Sequence, residues 1–294
     1  MADKHCRGYL SLLIDVTPAL WTNLEKQNAG SVAQLLANVN IFCNAYLNLE
    51  ASNQLLVLAA TTKFRECVAF SSSSCSGDAG AAAVTQLATF LRSEAQQCAA
   101  ADEPLSSNCD CDLSRPLTIA MCRMHRFQRE TVGESDRNYR ILILKASAAS
   151  SRQHLSLMNI FFAAQKQNIQ IDACILNQDC ALLQQACDIT GGIYLRVNDM
   201  AALTQYLLMV FLPDAHVRAR LTQPRSSDVD YRPVCFCHRK FVDVGWVCSV
   251  CLSVFCDFSP ICATCHTSHK LLSLAKTTKK RKKQSTSAPT TTKQ

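Results

Sequence analysis

The cysteines near the C-terminus are the residues of this sequence whose type and spacing most clearly suggest chemistry. Five of them fall within the eighteen residues CSVCLSVFCDFSPICATC, and the pairs Cys248-x2-Cys251 and Cys262-x2-Cys265 are ten residues apart. Each pair can direct two thiolates at one ion, so the two pairs complete a tetrahedral zinc site. A site of this kind has no open coordination position for water, which argues against catalysis.

Three further thiols surround these pairs. Cys235, Cys237 and Cys256 alternate along the chain with the two CxxC pairs, as ligands do in a cross-braced, RING-like module. A second zinc site built on them needs a fourth ligand, and the spacing does not choose among the nearby histidines His238, His266 and His269. The sequence therefore predicts one zinc ion and is compatible with a second.

The other eleven of the eighteen cysteines are scattered along the chain, and we expect them to be small buried hydrophobes. The sequence contains no apolar run of about eighteen residues, and its start, MADKHCRG, lacks the features of a signal peptide. We therefore expect an intracellular chain with reduced cysteines and no membrane contact. It has no GxSxG, Walker A or HExxH motif, so nothing indicates an enzyme.

The positive charge is concentrated at the C-terminus. The net charge is +7, and the last 25 residues carry eight lysines and arginines without any acid, so the rest of the chain has a net charge of −1. A nearly neutral folded part argues against general DNA binding through phosphate neutralisation, so we expect DNA contact to be weak or indirect. The run Lys279, Lys280, Arg281, Lys282 and Lys283 is typical of a nuclear localisation signal.

Hydrophobic patterning predicts an α/β fold. A buried strand at Tyr9–Val16 precedes a helix over Ser31–Leu49 and two short strands that can pair as a hairpin. From Tyr139 onward, strands alternate with helices of ten to fifteen residues. This alternation predicts a doubly wound, mostly parallel sheet that is covered on both faces. We expect an α/β domain over 8–212, a linker over 213–233, a cysteine-rich zinc-binding module over 234–269 and a disordered basic tail over 270–294.

The end of the first strand is a candidate ligand site, because open α/β sheets bind ligands at the carboxyl ends of their strands. The segment DVTPA there resembles the DxSxS start of the metal-ion-dependent adhesion site of von Willebrand factor A domains. In that family, a later threonine and an aspartate after the fourth strand complete the oxygen ligands that a divalent cation requires.

This sequence departs from the adhesion-site pattern. Asp15 and Thr17 match the pattern, and Thr118 is a candidate for the later threonine. However, Ala19 replaces the second hydroxyl residue, and Lys145 follows the apolar run ILIL, where the family has its aspartate. A lysine repels a divalent cation, so we expect the degenerate site to hold no Mg²⁺. Asp15 is then expected either to cap a turn or helix start, or to pair with Lys145.

A degenerate A domain followed by CFCHRKFVDVGWVCSVCLSVFCDFSPICATC closely resembles the smaller von Willebrand A and zinc-finger subunit of the general transcription and DNA-repair factor TFIIH, over residues 8–266. The resemblance implies a non-catalytic core subunit that acts as a protein scaffold in RNA polymerase II transcription initiation and nucleotide excision repair. It implies partners among the TFIIH core subunits, chiefly the other von Willebrand A and RING-type subunit, which stimulates the XPD helicase, and it implies a nuclear location.

Three other functions are compatible with the same residues: a RING-like ubiquitin ligase, a metal-dependent ligand-binding A domain, and direct nucleic-acid binding by the zinc module. Within that module, we expect most apolar residues to form a small core and Trp246 to contact a partner. The core candidates are Val247, Val250, Leu252, Val254, Phe255 and Phe258.

Overall fold

The computed structural model describes most of the chain, and the sheet, its covering helices and the cysteine-rich module all fall within it. The described residues are 7–17, 21, 25, 30–61, 67–72, 79–100, 111–130, 137–147, 153–224 and 228–269. Ala19 and the basic run Lys279–Lys283 lie outside them.

A six-stranded sheet has the strand order β3-β2-β1-β4-β5-β6. All neighbouring strands are parallel except β3, which pairs antiparallel with β2. The strands are β1 (Arg7–Asp15), β2 (Gln54–Ala60), β3 (Val68–Ser71), β4 (Arg137–Lys145), β5 (Gln170–Ile175) and β6 (Tyr194–Arg196). This von Willebrand A-like arrangement confirms the predicted fold class and the β2–β3 hairpin.

Helices cover both faces of the sheet. One face carries α1 (Ser31–Leu49), α2 (Ala79–Ala100) and α6 (Leu203–Tyr206), which continues into a π-helical turn over Leu207–Phe211. The other face carries α3 (Ser114–Glu130), α4 (His154–Lys166) and α5 (Ala181–Thr190). None of the helices in the described ranges combines the length and hydropathy needed to span a bilayer.

Because the sheet is covered on both sides, its central strands are apolar on both faces rather than alternating. In β1, Leu10 and Leu12 enter one core while Tyr9 and Leu13 enter the other. Each fully buried leucine contributes about 2 kcal/mol through the hydrophobic effect. The continuous apolar run is therefore what places β1 at the centre of the sheet.

Two glycines set the turn between α5 and β6. Gly191 ends the helix with φ of +70°, a left-handed conformation that glycine adopts at little cost. A Cβ atom at Gly192 would lie 1.8 Å from the carbonyl oxygen of Ile171, so a side chain there would displace β5. This turn allows β6 to pair with β5.

Part of the predicted linker 213–233 is ordered against the domain. Residues Ala215–Arg218 form a short helix, α7, and Arg218 is buried in an ion pair with Asp172 of β5, with Nη2 2.7 Å from Oδ2. Farther along, the hydroxyl of Tyr231 donates a hydrogen bond to Asp188 of α5. The prediction missed these anchors because Pro213 and the following polar residues gave no periodic pattern.

Candidate metal centre and closed strand edge

At the carboxyl end of β1, Asp15 lies in a buried group of polar side chains. Its Oδ1 accepts hydrogen bonds from the backbone nitrogen of Thr17, at 3.0 Å, and from the Thr17 hydroxyl, at 2.6 Å. Its Oδ2 accepts from the backbone nitrogens of Ser147, at 2.7 Å, and Ala146, at 3.3 Å. Four donors from the protein thus occupy the carboxylate, which ties the end of β1 to the segment that follows β4.

Lys145 completes this group. It is 3% exposed, and its Nζ donates a hydrogen bond of 2.5 Å to Oγ of Ser147. Burial alone would raise the pKa of Asp15, but the Lys145 cation and the hydrogen bonds from Ser147 and Thr17 outweigh it and hold the pKa below its ordinary value. A buried carboxylate of this kind is a structural anion that needs its neighbouring cation.

Thr118 is not part of this group. Its side chain is exposed on α3, and its hydroxyl donates a hydrogen bond to the carbonyl of Ser114 in the same helix. Cys111 stands beside Asp15 instead: burial and the nearby Asp15 carboxylate raise the pKa of its thiol well above the ordinary value. Thr118 therefore lies within the helix and is not among the hydrogen-bond donors to Asp15.

In the cysteine-rich module, the same backbone turn occurs three times. It begins at Cys235, Cys248 and Cys262, and in each case the residue four positions later donates its N–H to the carbonyl of the first cysteine, at 2.8–2.9 Å. That donor has a left-handed backbone in all three turns, with φ of 53–60°. Each turn directs the side chains of its first and fourth residues to the same side, as a zinc knuckle requires.

The second and third turns form the cluster that the sequence predicts. Sγ of Cys248 lies 3.7 Å from that of Cys265, and Sγ of Cys251 lies 3.5 Å from that of Cys262. All four sulfur atoms lie within 4.8 Å of one another. Zn–S bonds of about 2.3 Å in a tetrahedron place sulfur atoms about 3.8 Å apart, so this donor set fits one zinc ion.

The first turn contributes to a second cluster, in which His238 is the fourth donor. Its Nδ1 lies 3.2 Å from Sγ of Cys237 and 3.2 Å from Sγ of Cys256. Cys235 lies 3.0 Å from Cys237 through their sulfur atoms, and all four donor atoms fall within 4.8 Å. Three thiolates and one imidazole form a typical zinc ligand set.

Sequence reasoning left the fourth ligand open, although the chain contains a signal for it. Cys235-x2-His238 has the same spacing as the two CxxC pairs, and His238 occupies the position in the first turn that Cys251 and Cys265 occupy in the others. Counting only cysteine pairs concealed this repeat. His266 and His269 lie outside both clusters.

The two clusters alternate along the chain. The mixed cluster takes its donors from residues 235–238 and from Cys256, and the four-cysteine cluster takes its donors from residues 248–251 and 262–265. The short strands β7 (Trp246–Val247) and β8 (Val254–Phe255) pair antiparallel between them. This cross-braced order means that neither cluster can form from one continuous segment, so binding of a metal ion there would be coupled to folding of the module.

Most apolar residues of the module lie at its surface, which corrects the expectation of a small core. Phe255 is buried, with 9% of its surface exposed, whereas Val247, Val250 and Leu252 are 59–72% exposed. Trp246 is 57% exposed and packs edge-on against Phe258, with 5.3 Å between ring centroids. The buried cluster consists of Phe255 and the cysteines of the second and third turns, so these candidate ligands occupy the space that a core would fill.

The fold and these clusters define a class of protein: a von Willebrand A-like α/β domain with a closed strand edge, joined to a cysteine-rich module whose donor sets fit zinc. Comparison with known proteins places the chain within this class. The family model described as transcription factor Tfb4 matches residues 8–266. The chain belongs to the Tfb4 family.

Relatives of the chain carry consistent names. A Schizosaccharomyces pombe protein named general transcription and DNA repair factor IIH subunit tfb4 is 35% identical over 262 residues, which cover 88% of this chain and 87% of that protein. The Arabidopsis thaliana protein named subunit TFB4 of the same factor is 34% identical, with 87% of each chain covered. The crystal structure of the TFIIH p34 N-terminal domain matches with a TM-score of 0.57 and 26% identity, covering 69% of this chain and 97% of that domain.

Proposed function

We propose that this chain is a non-catalytic core subunit of TFIIH that acts as a scaffold for transcription initiation and nucleotide excision repair. The observation that carries the proposal is the family match over residues 8–266, which includes both the α/β domain and the cysteine-rich module. Two relatives named as subunits of factor IIH align over nearly nine-tenths of their own length. A family match that spans both parts of this chain favours a shared role.

The geometry of the α/β domain favours protein contact over bond chemistry. At the strand edge, where related folds bind ligands, Asp15 is 1% exposed and its oxygen atoms accept protein hydrogen bonds. Lys145 adds a buried positive charge there. We infer that the polar contacts at this edge have a structural role and hold the ends of β1 and β4 together. We also infer that the domain acts by binding the other von Willebrand A and RING-type subunit, which stimulates the XPD helicase.

The cysteine-rich module is proposed to hold two zinc ions. One would be held by Cys248, Cys251, Cys262 and Cys265, and the other by Cys235, Cys237, His238 and Cys256. When bound, zinc supplies tetrahedral cross-links that fold a segment without a hydrophobic core of its own. The exposed Trp246 and Phe258 then form an aromatic surface, and large exposed aromatic side chains are typical contact residues.

We infer that the protein works in the nucleus and that the basic run Lys279–Lys283 is its localisation signal. Factor IIH is named in the relatives as a transcription and DNA repair factor, and both processes take place on nuclear DNA. The near-neutral charge of the rest of the chain favours weak or indirect DNA contact.

Co-expression with the von Willebrand A and RING-type subunit of TFIIH from the same organism tests the partner. We expect the two proteins to elute together in size-exclusion chromatography. If the α/β domain carries the contact, the double variant Cys248→Ser/Cys251→Ser still co-elutes, as does the control Asp228→Asn at an exposed position outside the clusters. Separate elution of the two wild-type proteins would contradict the proposed partner.

One observation favours a second candidate function, that of a RING-like ubiquitin ligase. With His238 as a ligand, both clusters have four donors in cross-braced order. An autoubiquitination assay with the zinc-loaded chain and a panel of conjugating enzymes tests this function. Ubiquitin chains that disappear in Cys248→Ser would support it, and an unmodified protein would exclude it for that panel.

A further inference from the structure

A groove of about 290 Å³ runs between α3 and α4, on the face of the sheet opposite α1 and α2. Met121, Cys122 and His125 line it from α3, and Ile160 and Ala163 line it from α4. Its floor is thus mainly apolar, although it opens to solvent beside the exposed side chains of Cys122 and His125. Apolar grooves between helices are a common docking site for an amphipathic helix of another protein.

The two helices that form this groove carry an excess of exposed positive charge. Among their described residues, α3 and α4 expose four cations, Arg123, Arg126, Arg129 and Lys166, against the single acid Glu130. The acid is paired with Arg126, with Nε 2.8 Å from Oε1. Outside the C-terminal tail, the chain as a whole has a net charge of −1, so this helix pair is a local basic surface on a nearly neutral protein.

Two of these cations, Arg129 and Lys166, lie at the C-terminal ends of the two helices. Thr118, Cys122, His125 and Arg129 follow one another at intervals of three and four residues, which puts them on one side of α3. Arg129 lies in the last turn of α3, and Lys166 lies in the last turn of α4. Cations in these turns also complement the helix macrodipoles, but that role leaves their exposed charge available to a partner.

We propose that the α3/α4 groove is a docking surface for an acidic amphipathic helix of a partner protein. Leucine-sized side chains of that helix would fill the space over Ile160 and Ala163, and its carboxylates would face Arg129 and Lys166. The stretch from Thr118 to Arg129 spans about 16 Å along α3, which matches about three turns of a docked helix. Charge complementarity would orient the helix, and burial of its apolar side chains would supply affinity.

Nucleic acid is a poorer fit for this surface. A phosphate backbone would use the cations but would leave the apolar floor, formed by Met121, Ile160 and Ala163, without a function. The proposed docking does not depend on membership of TFIIH, and a failure of either proposal leaves the other standing.

Fluorescence anisotropy with the zinc-loaded full chain tests the docking. The probe is a labelled helical peptide of about five turns with leucines at i, i+3, i+4 and i+7 and glutamates at most other positions. One comparison peptide has serines in place of the leucines, a second has lysines in place of the glutamates, and a single-stranded oligonucleotide is a further comparison. We expect the first peptide to bind at least about tenfold more tightly than each of these.

Two variants separate groove docking from simple charge attraction. Cys122→Arg adds a positive charge but places a large side chain at the groove. Docking predicts weaker peptide binding, whereas attraction to a basic surface predicts binding at least as tight. Arg129→Glu/Lys166→Glu should weaken binding about tenfold or more, while the matched reversal of two exposed arginines elsewhere, Arg92→Glu/Arg220→Glu, should have little effect.

Unchanged thermal unfolding of each variant shows that its fold is intact. Equal binding of the leucine and serine peptides, binding by Cys122→Arg that is as tight as that of the wild type or tighter, or preferential binding of the oligonucleotide would each overturn the proposal.

Discussion

Nδ1 of His238 lies 3.2 Å from Sγ of Cys256, although eighteen positions separate the two residues in the chain. The contact brings the first knuckle turn to the end of β8, because Cys256 directly follows that strand. It also supplies the fourth donor that the three cysteines Cys235, Cys237 and Cys256 lack. The module is therefore expected to bind two zinc ions, one in each cluster.

Zinc content tests this arrangement. We expect two zinc ions per wild-type chain, measured by inductively coupled plasma mass spectrometry after removal of loosely bound metal. His238→Phe removes one donor from the mixed cluster and should lower the content to about one ion. His238→Cys replaces the donor with a thiolate and should restore the second ion, because a four-cysteine set also suits zinc.

Cys122→Ser serves as the control for that measurement, since Cys122 lies outside both clusters and its loss should leave two ions. A wild-type protein that holds one ion, with the same content in His238→Phe, would show that the mixed cluster does not bind zinc.

The buried pair of Asp172 and Arg218 should be important for stability. Arg218 donates to both carboxylate oxygens of Asp172, at 3.0 and 2.7 Å, and the two side chains are 2% and 6% exposed. Removing one partner leaves a buried charge uncompensated, so Arg218→Met should lower the free energy of unfolding by about 3–5 kcal/mol in urea denaturation.

The exposed pair of Arg196 and Asp179 provides a matched comparison for this buried pair. Its charged groups are 2.8 Å apart, nearly the same distance as in the buried pair, but both side chains are nearly half exposed. Arg196→Met should therefore cost no more than about 1 kcal/mol. If the two variants lower the free energy of unfolding by a similar amount, the Asp172–Arg218 ion pair between β5 and α7 is no more important for stability than the exposed pair.

Some features of the fold could be read from the sequence and others could not. Continuous apolar runs identified β1 and β4 because strands covered on both faces need apolar residues at every position. The anchoring of Arg218 had no such signal, since its partner Asp172 lies 46 residues away within an apolar strand. Long-range polar pairs depend on the three-dimensional arrangement, which local periodicity does not encode.

The candidate sites show the same division. Four candidate zinc donors could be identified from the sequence because CxxC pairs are a local pattern. His238 could also have been identified, because Cys235-x2-His238 repeats the spacing of those pairs. The surface position of Val250 and Leu252 was not predictable by counting apolar residues, because a zinc-stabilised module needs few of them inside. Cys111, which lies beside Asp15, had no recognisable motif.

Acid stability should report on Asp15. Its pKa in the folded protein lies below the ordinary value of 3.8, so ionised Asp15 stabilises the fold fully above that pH. This stabilisation is lost as the pH falls through the lower folded-state pKa. Asp15→Asn should lower the free energy of unfolding by about 3 kcal/mol at neutral pH and should reduce the further loss of stability below pH of about 4.

The Asp15 measurement needs a signal from the α/β domain alone. Trp21 is suitable because its indole N–H donates to the carbonyl of Asp15 at 2.8 Å, and Trp246→Phe removes the chain's other tryptophan. Urea unfolding followed by Trp21 fluorescence then gives stability at each pH. The control is Asp228→Asn at an exposed position; an identical acid response in both variants would rule out the role of Asp15.

Magnesium should neither bind nor stabilise the degenerate adhesion-type site. The Asp15 carboxylate is already occupied by Thr17 and by the backbone of Ala146 and Ser147, and the Lys145 cation opposes a second positive charge. Differential scanning fluorimetry with and without MgCl₂ should give the same unfolding temperature. A rise in unfolding temperature that Asp15→Ala abolishes would instead support a metal-dependent ligand-binding A domain.

Affinity purification of the tagged full chain from nuclear extract, with identification of co-purifying proteins by mass spectrometry, tests the central claim most directly. We predict recovery of the TFIIH core subunits, including the von Willebrand A and RING-type subunit, in near-stoichiometric amounts. Recovery of the intact, zinc-loaded chain without any TFIIH subunit would contradict the proposed scaffold function.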